Sequence, residues 1–129
     1  MQCTSPDCSK VLPTDVLIVE DDPIIALDYE DMMLAFGVTK VRTAATVAAA
    51  LDMIAQRRPD LALLDVGLMR EKSFAIADEL AALKIPFAFV TGYAAEVTLP
   101  STFADRPRLA KPFTAAALRA MLRRLGGGG

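Results

Sequence analysis

The sequence predicts an α/β domain built on a doubly wound, five-stranded parallel sheet. Two observations carry that prediction. Short continuous apolar runs, as expected of strands buried on both faces, alternate along the chain with stretches of helical apolar spacing. The runs Val16–Val19, Leu61–Leu64 and Phe87–Val90 each close on a polar residue. With 129 residues, 53% of them hydrophobic, the chain can bury one substantial core but not two.

The first run ends at Glu20-Asp21-Asp22, and Pro23 opens a helix behind Asp22, a good N-cap. Ile25, Tyr29, Met32, Met33 and Phe36 fall on one helical stripe, and Gly37 stops it. A weaker strand is expected over Val38 to Arg42, then an Ala-rich helix over Thr46 to Gln56 with Val47, Leu51 and Ile54 on one side. Arg57-Arg58-Pro59-Asp60 ends that helix, and the strand Leu61–Leu64 runs into Asp65. Ser73 opens a third helix through Phe74, Ala77, Leu80 and Ala81, reaching toward Lys84 before Pro86. Phe87–Val90 finishes at Thr91-Gly92. Between Tyr93 and Pro107 the helical pattern is weak. Arg108-Leu109-Ala110 is a short fifth strand leading to Lys111-Pro112, and Thr114 caps a last helix carrying Leu118, Met121, Leu122 and Leu125.

Composition removes several classes of function. A net charge of -2 offers no basic excess for a phosphate backbone, so no nucleic-acid partner is expected. The absence of His removes His-based triads and His metal sites. No apolar run approaches the roughly 18 residues a membrane helix needs, and residues 1–14 read as a flexible leader without a signal-peptide core. Cys3 and Cys8 lie in that leader and read as free thiols in a reducing cytoplasm. The domain is expected over residues 15–125, with a glycine tail at 126–129.

In open parallel sheets, ligands gather at the carboxyl ends of the strands. That rule brings Glu20, Asp21, Asp22, Asp65, Thr91 and Lys111 to one edge. Clustered carboxylates repel without a cation, and hard oxygen ligands suit Mg²⁺ or Mn²⁺. A carboxylate beside such a metal, with a hydroxyl and an ammonium nearby, can act as nucleophile toward a phosphoryl group. Taken singly, each residue has a plain structural reading: the acids as a helix N-terminus, Asp65 as a turn residue, Thr91 and Lys111 as solvated groups.

Together these residues resemble the receiver domain of two-component response regulators. The matching pieces are Leu17-Ile18-Val19-Glu20-Asp21-Asp22, Leu63-Leu64-Asp65, Thr91-Gly92 and Lys111-Pro112-Phe113. Pro86-Phe87-Ala88-Phe89-Val90-Thr91-Gly92-Tyr93 is similar to the PFxFATGY motif of the single-domain FATGUY subfamily, with Val90 where Ala is usual. The resemblance implies a flavodoxin-like sheet with strand order 2-1-3-4-5 and a mobile segment in place of a firm fourth helix. It implies Asp65 as phosphoacceptor and Glu20, Asp21, Asp65 and the Gly67 carbonyl as Mg²⁺ ligands. Thr91 and Lys111 would bind the phosphoryl oxygens, and Gly92 would leave room for them.

Two departures bear on switching. Arg108 stands where many receivers carry an aromatic relay, with Tyr93 as a substitute, and Met69 replaces an expected Pro. Neither Gly67 nor Tyr93 offers a carboxylate or amide to orient water, so slow self-dephosphorylation is expected. The reading is a cytoplasmic single-domain response regulator, phosphorylated on Asp65 by a sensor histidine kinase of the HWE or a related type. It would signal to a downstream protein by contacts that change on phosphorylation, and a weak homodimer is compatible with it. The rivals are a receiver cut from a hybrid kinase or larger regulator, a phosphorylation-silent interaction module, and an aspartate-nucleophile phosphatase. The last lacks the DxD element it would need on the first strand.

Overall fold

Along the computed structural model, which describes residues 14–65, 73–91, 108–110 and 114–127, strands and helices alternate. They are β1 (Asp15–Val19), α1 (Pro23–Phe36), β2 (Lys40–Ala44), α2 (Val47–Gln56), β3 (Leu61–Asp65), α3 (Ser73–Ala82), β4 (Phe87–Thr91), β5 (Arg108–Ala110) and α4 (Ala115–Gly127). The sheet is parallel throughout, in the order β2-β1-β3-β4-β5. The order expected from the resemblance is therefore the observed one. The stretch between Tyr93 and Pro107, where a weak helix was expected, lies outside the described residues.

Strand alternation divides the core in two. Val16 and Ile18 of β1, with Leu61 and Leu63 of β3, pack under Tyr29 and Met33 of α1 and Leu118 and Leu122 of α4. Leu17, Val19, Ala62 and Leu64 face the other way, toward Ala50 and Ile54 of α2 and Ile76 and Leu80 of α3. Both faces of the inner strands are buried, which is why their sequences read as unbroken apolar runs.

The helix ends follow local chemistry. Ile24 and Ile25 N–H donate to Asp22 Oδ1 at 2.9 and 3.4 Å, capping α1 behind Pro23. Ala49 N–H donates to Thr46 Oγ1 at 3.1 Å, and Ala117 N–H to Thr114 Oγ1 at 3.0 Å. Gly37, at φ 114°, closes α1 while Val38 N–H bonds Met33 O at 3.1 Å. The same closing geometry ends α3 with a lysine. Lys84 sits at φ 60°, and Ile85 N–H bonds Leu80 O at 2.9 Å. Lys84 thus lies past the helix that was expected to reach toward it, in a left-handed conformation that costs a non-glycine residue about 1 kcal/mol. β2 begins at Lys40 and runs to Ala44, two residues later than the expected strand at each end.

At the amino edge of the sheet a polar clamp joins three strands. Asp15, 2% exposed, receives Arg42 Nε on Oδ1 at 3.0 Å and Arg42 Nη2 on Oδ2 at 3.2 Å, and Arg57 Nε stands 3.0 Å from the same Oδ2. Arg42 also donates to Met53 O and Arg57 O, so one guanidinium ties β2 to the end of α2. Asp60 Oδ2 accepts from Thr14 N–H, Thr14 Oγ1 and Asp15 N–H at 3.1, 2.6 and 3.1 Å. Those bonds, the Thr14 hydroxyl first, hold the Asp60 carboxyl below the ordinary carboxylate range against the opposing effect of partial burial.

A depressed carboxyl stabilises the fold above its unfolded pKa, and that contribution is lost as pH falls through the folded value. Asp60→Asn is expected to lose about 1 kcal/mol at neutral pH. It should also unfold with a shallower acid limb below about pH 4, read by thermal melts across that range. Equal acid limbs in the two proteins would remove Asp60 from the acid transition.

Candidate functional site

The carboxyl ends of β1 and β3 place three acids together. β1 and β3 pair with Val19 opposite Leu64, so Glu20 and Asp65, the next residue of each strand, become neighbours. Glu20 N–H donates to Ala44 O at 2.9 Å, which holds this turn against the end of β2. Asp21 follows directly, and Asp22 is occupied in capping α1. One carboxylate oxygen from each of Glu20, Asp21 and Asp65 lies within 4.8 Å of the others.

The three environments differ. Glu20 is 3% exposed and Asp65 5%, whereas Asp21 stands in solvent at the mouth. Glu20 Oε2 also accepts from Asp22 N–H at 3.2 Å, fixing its carboxylate within the turn. Two buried carboxylates and one exposed, all hard oxygen donors, suit a divalent cation that keeps some of its waters. The chemistry of the donor set fits Mg²⁺ or Mn²⁺ held by Glu20, Asp21 and Asp65.

Other expected site residues lie on the neighbouring strands or outside the described residues. β4 pairs Val90 with Asp65, and Thr91 ends that strand one residue further on, opposite Ala110 of β5. Arg108 begins β5 opposite Phe89 and is exposed. Gly67, Gly92, Tyr93 and Lys111 lie outside the described residues.

The sequence reading missed a cleft beside the acids. Pro23, Ala26, Leu27 and Glu30 of α1 face Thr43, Ala44 and Ala45 across it, with Glu20 and Asp21 at its end. Their spacing of three and four residues, one helical face, was the available signal. Ile24, Leu27 and Leu34 of α1 are 78%, 56% and 45% exposed, unusual for large apolar side chains. Arg119 is exposed and stands 5.9 Å above the Phe36 ring, linking α4 to the end of α1.

Residues 16–123 match the response regulator receiver domain family. The chain belongs to that family. Membership makes it a signalling domain of two-component systems. This receiver is 32% identical over 120 residues to the phyllosphere-induced regulator PhyR of Methylorubrum extorquens, covering 86% of this chain and 43% of PhyR. It spans less than half the length of the curated relatives it matches. Among solved structures, SdrG from Sphingomonas melonis Fr1 superposes with a TM-score of 0.74 at 43% identity, over 87% of this chain and 95% of SdrG. The BeF3-activated conformation of SdrG from Pseudomonas melonis Fr1 gives 0.69 at 44% identity, over 84% and 96% of the two chains. Among the described residues, no helix is long and apolar enough to cross a membrane.

Three converging carboxylates make the receiver's metal response measurable. Magnesium at about 100 times its dissociation constant adds roughly 2.7 kcal/mol to the stability of a protein that binds it only when folded. Native protein is expected to melt higher with Mg²⁺ than with a chelator, and Asp21→Asn to lose most of that rise. In chelator, Asp21→Asn should melt no lower than native, because Asp21 is exposed and lies outside the core. A full magnesium response in the variant would exclude Asp21 as a ligand.

Proposed function

We propose that this receiver takes a phosphoryl group onto Asp65 from the phosphohistidine of a sensor histidine kinase. The observation that supports this reading is the convergence of Glu20, Asp21 and Asp65 at one strand edge. In the transfer, one Asp65 carboxylate oxygen attacks phosphorus in line with the departing imidazole nitrogen. The O–P bond forms as the P–N bond breaks, and the imidazole leaves, taking a proton from solvent. Glu20, Asp21, Asp65 and the Gly67 carbonyl would hold magnesium, which when bound would neutralise charge at the phosphoryl oxygens. Glu20 is kept in place by the Asp22 N–H and by burial, so the pocket is preorganised around Asp65. Thr91 and Lys111, at the next two strand ends, are the proposed partners of the transferred group, and Gly92 the residue that leaves it room.

The exposed Ile24, Leu27 and Leu34 on α1 would give the kinase an apolar foothold beside the acids. The motif from Pro86 to Tyr93 supports a FATGUY-type receiver and a kinase of the HWE or a related type. We place the protein in the cytoplasm, with residues 15–125 as the receiver, flanked by a leader and a glycine tail. Its message would pass to a downstream protein through contacts that change on phosphorylation, with Tyr93 and Arg108 near the changing face. The resemblance of Pro86 to Tyr93 to the single-domain subfamily motif favours a single-domain regulator. Coverage of only 43% of PhyR favours the second reading, a receiver unit of a longer regulator.

Incubation with Mg²⁺ and a small acyl-phosphate donor is expected to add one phosphoryl group to the native protein by intact mass, and none to Asp65→Asn. Equal addition to both would move the acceptor elsewhere. No addition from either the small donor or a phosphorylated kinase would favour the silent module.

The acyl phosphate is expected to persist for minutes or longer after donor removal, because no carboxylate or amide at Gly67 or Tyr93 orients water. A half-life of seconds would overturn that expectation.

A further inference from the structure

An aromatic ladder lies on the α2/α3 face of the sheet, apart from the carboxylates. Phe87 and Phe89 of β4 are wholly buried and meet edge to face, their centroids 5.5 Å apart at 89°. Phe74, half-buried in the first turn of α3, stands against Phe89 at 6.2 Å and 72°. β4 ends at Thr91, two residues beyond Phe89, and α3 is the helix that follows Asp65 in the chain. A ring contact therefore joins the helix after the phosphoacceptor to the strand that ends in Thr91.

Edge-to-face aromatic pairs are orientation-dependent, because a positive ring edge meets a negative ring face. An aliphatic side chain of similar bulk fills the space without setting the angle. Close-packed interiors pass such displacements on rather than absorbing them. Ile76, Ala77 and Leu80, all 0% exposed, already hold α3 on the core. What Phe74 adds is the set of the first turn of α3 against the end of β4.

We propose that Phe74 is a positioning residue for the phosphoryl site, acting through Phe89. It touches neither metal nor phosphoryl group; it fixes how the start of α3 sits against the strand carrying Thr91. The proposal rests on the reading of Asp65 as phosphoacceptor.

The test compares Phe74→Leu, which keeps bulk, with Phe74→Tyr, which keeps the ring edge. Phosphoryl uptake from a small acyl-phosphate donor is followed by intact mass at saturating Mg²⁺, across donor concentrations, beside thermal melts. Phe74→Leu is expected to lower the saturating uptake rate roughly 10-fold, with the donor concentration for half-saturation little changed and the melting temperature close to native. Phe74→Tyr should restore the native rate. A native rate in Phe74→Leu, or an equal loss in Phe74→Tyr, overturns the proposal. If Phe74→Leu fails to fold, Phe74→Met takes its place.

Should the native protein accept no phosphoryl group, the phosphoacceptor reading fails instead, and the tie is read directly by NMR. The Thr91 amide resonance then moves in Phe74→Leu and holds in Phe74→Tyr if the two elements are joined. An unmoved Thr91 amide in Phe74→Leu overturns the tie.

Discussion

The register between β1 and β3 is the constraint on which this molecule depends. With Val19 opposite Leu64, the residues that follow them, Glu20 and Asp65, meet at the carboxyl edge. A slip of one residue would turn every side chain of β1 to the wrong face. Val16 and Ile18 would leave the layer under α1, Leu17 and Val19 would leave the layer under α2, and Glu20 would move out of reach of Asp65. Core packing and site geometry are thus enforced by one set of hydrogen bonds.

The two edges of the sheet are opposed in electrostatic character. At the amino edge, Asp15 is buried between Arg42 and Arg57, and the Asp60 carboxylate gathers three donors from Thr14 and Asp15. Breaking a buried ion pair by removing one partner typically costs about 3–5 kcal/mol, so this clamp resists sliding of β1 against its neighbours. At the carboxyl edge, Glu20, Asp21 and Asp65 converge. The clamp keeps β1 in register while its far end holds an acidic cluster suited to a cation.

The legible parts of this sequence were those written in short-range pattern. Asp22-Pro23 marks the start of α1 and Gly37 its end, because caps are chemistry among adjacent backbone groups. The stripe Ile25, Tyr29, Met32, Met33 and Phe36 faces the core, as helical spacing requires. Lys84 misled because it adopts the left-handed closing position that Gly37 occupies at the end of α1. Arg57 and Asp60 read only as the end of a helix, yet both join the clamp at Asp15. At the site, Glu20, Asp21 and Asp65 were legible because each follows an apolar run. The cleft along Pro23, Ala26, Leu27 and Glu30 was not, since its opposite wall comes from the end of β2.

By itself, then, the sequence determined the alternation of strands and helices, the caps, the apolar faces and the acids that terminate β1 and β3. All of these are set within a few residues by backbone hydrogen bonding and side-chain period. Tertiary structure decided which residues meet: Glu20 with Asp65, Asp15 with Arg42 and Arg57, Phe74 with Phe89, Arg119 with Phe36. Each of those pairs joins different elements. No local period records them, because they follow from strand order and register, which are fixed only when both faces of the sheet are covered at once.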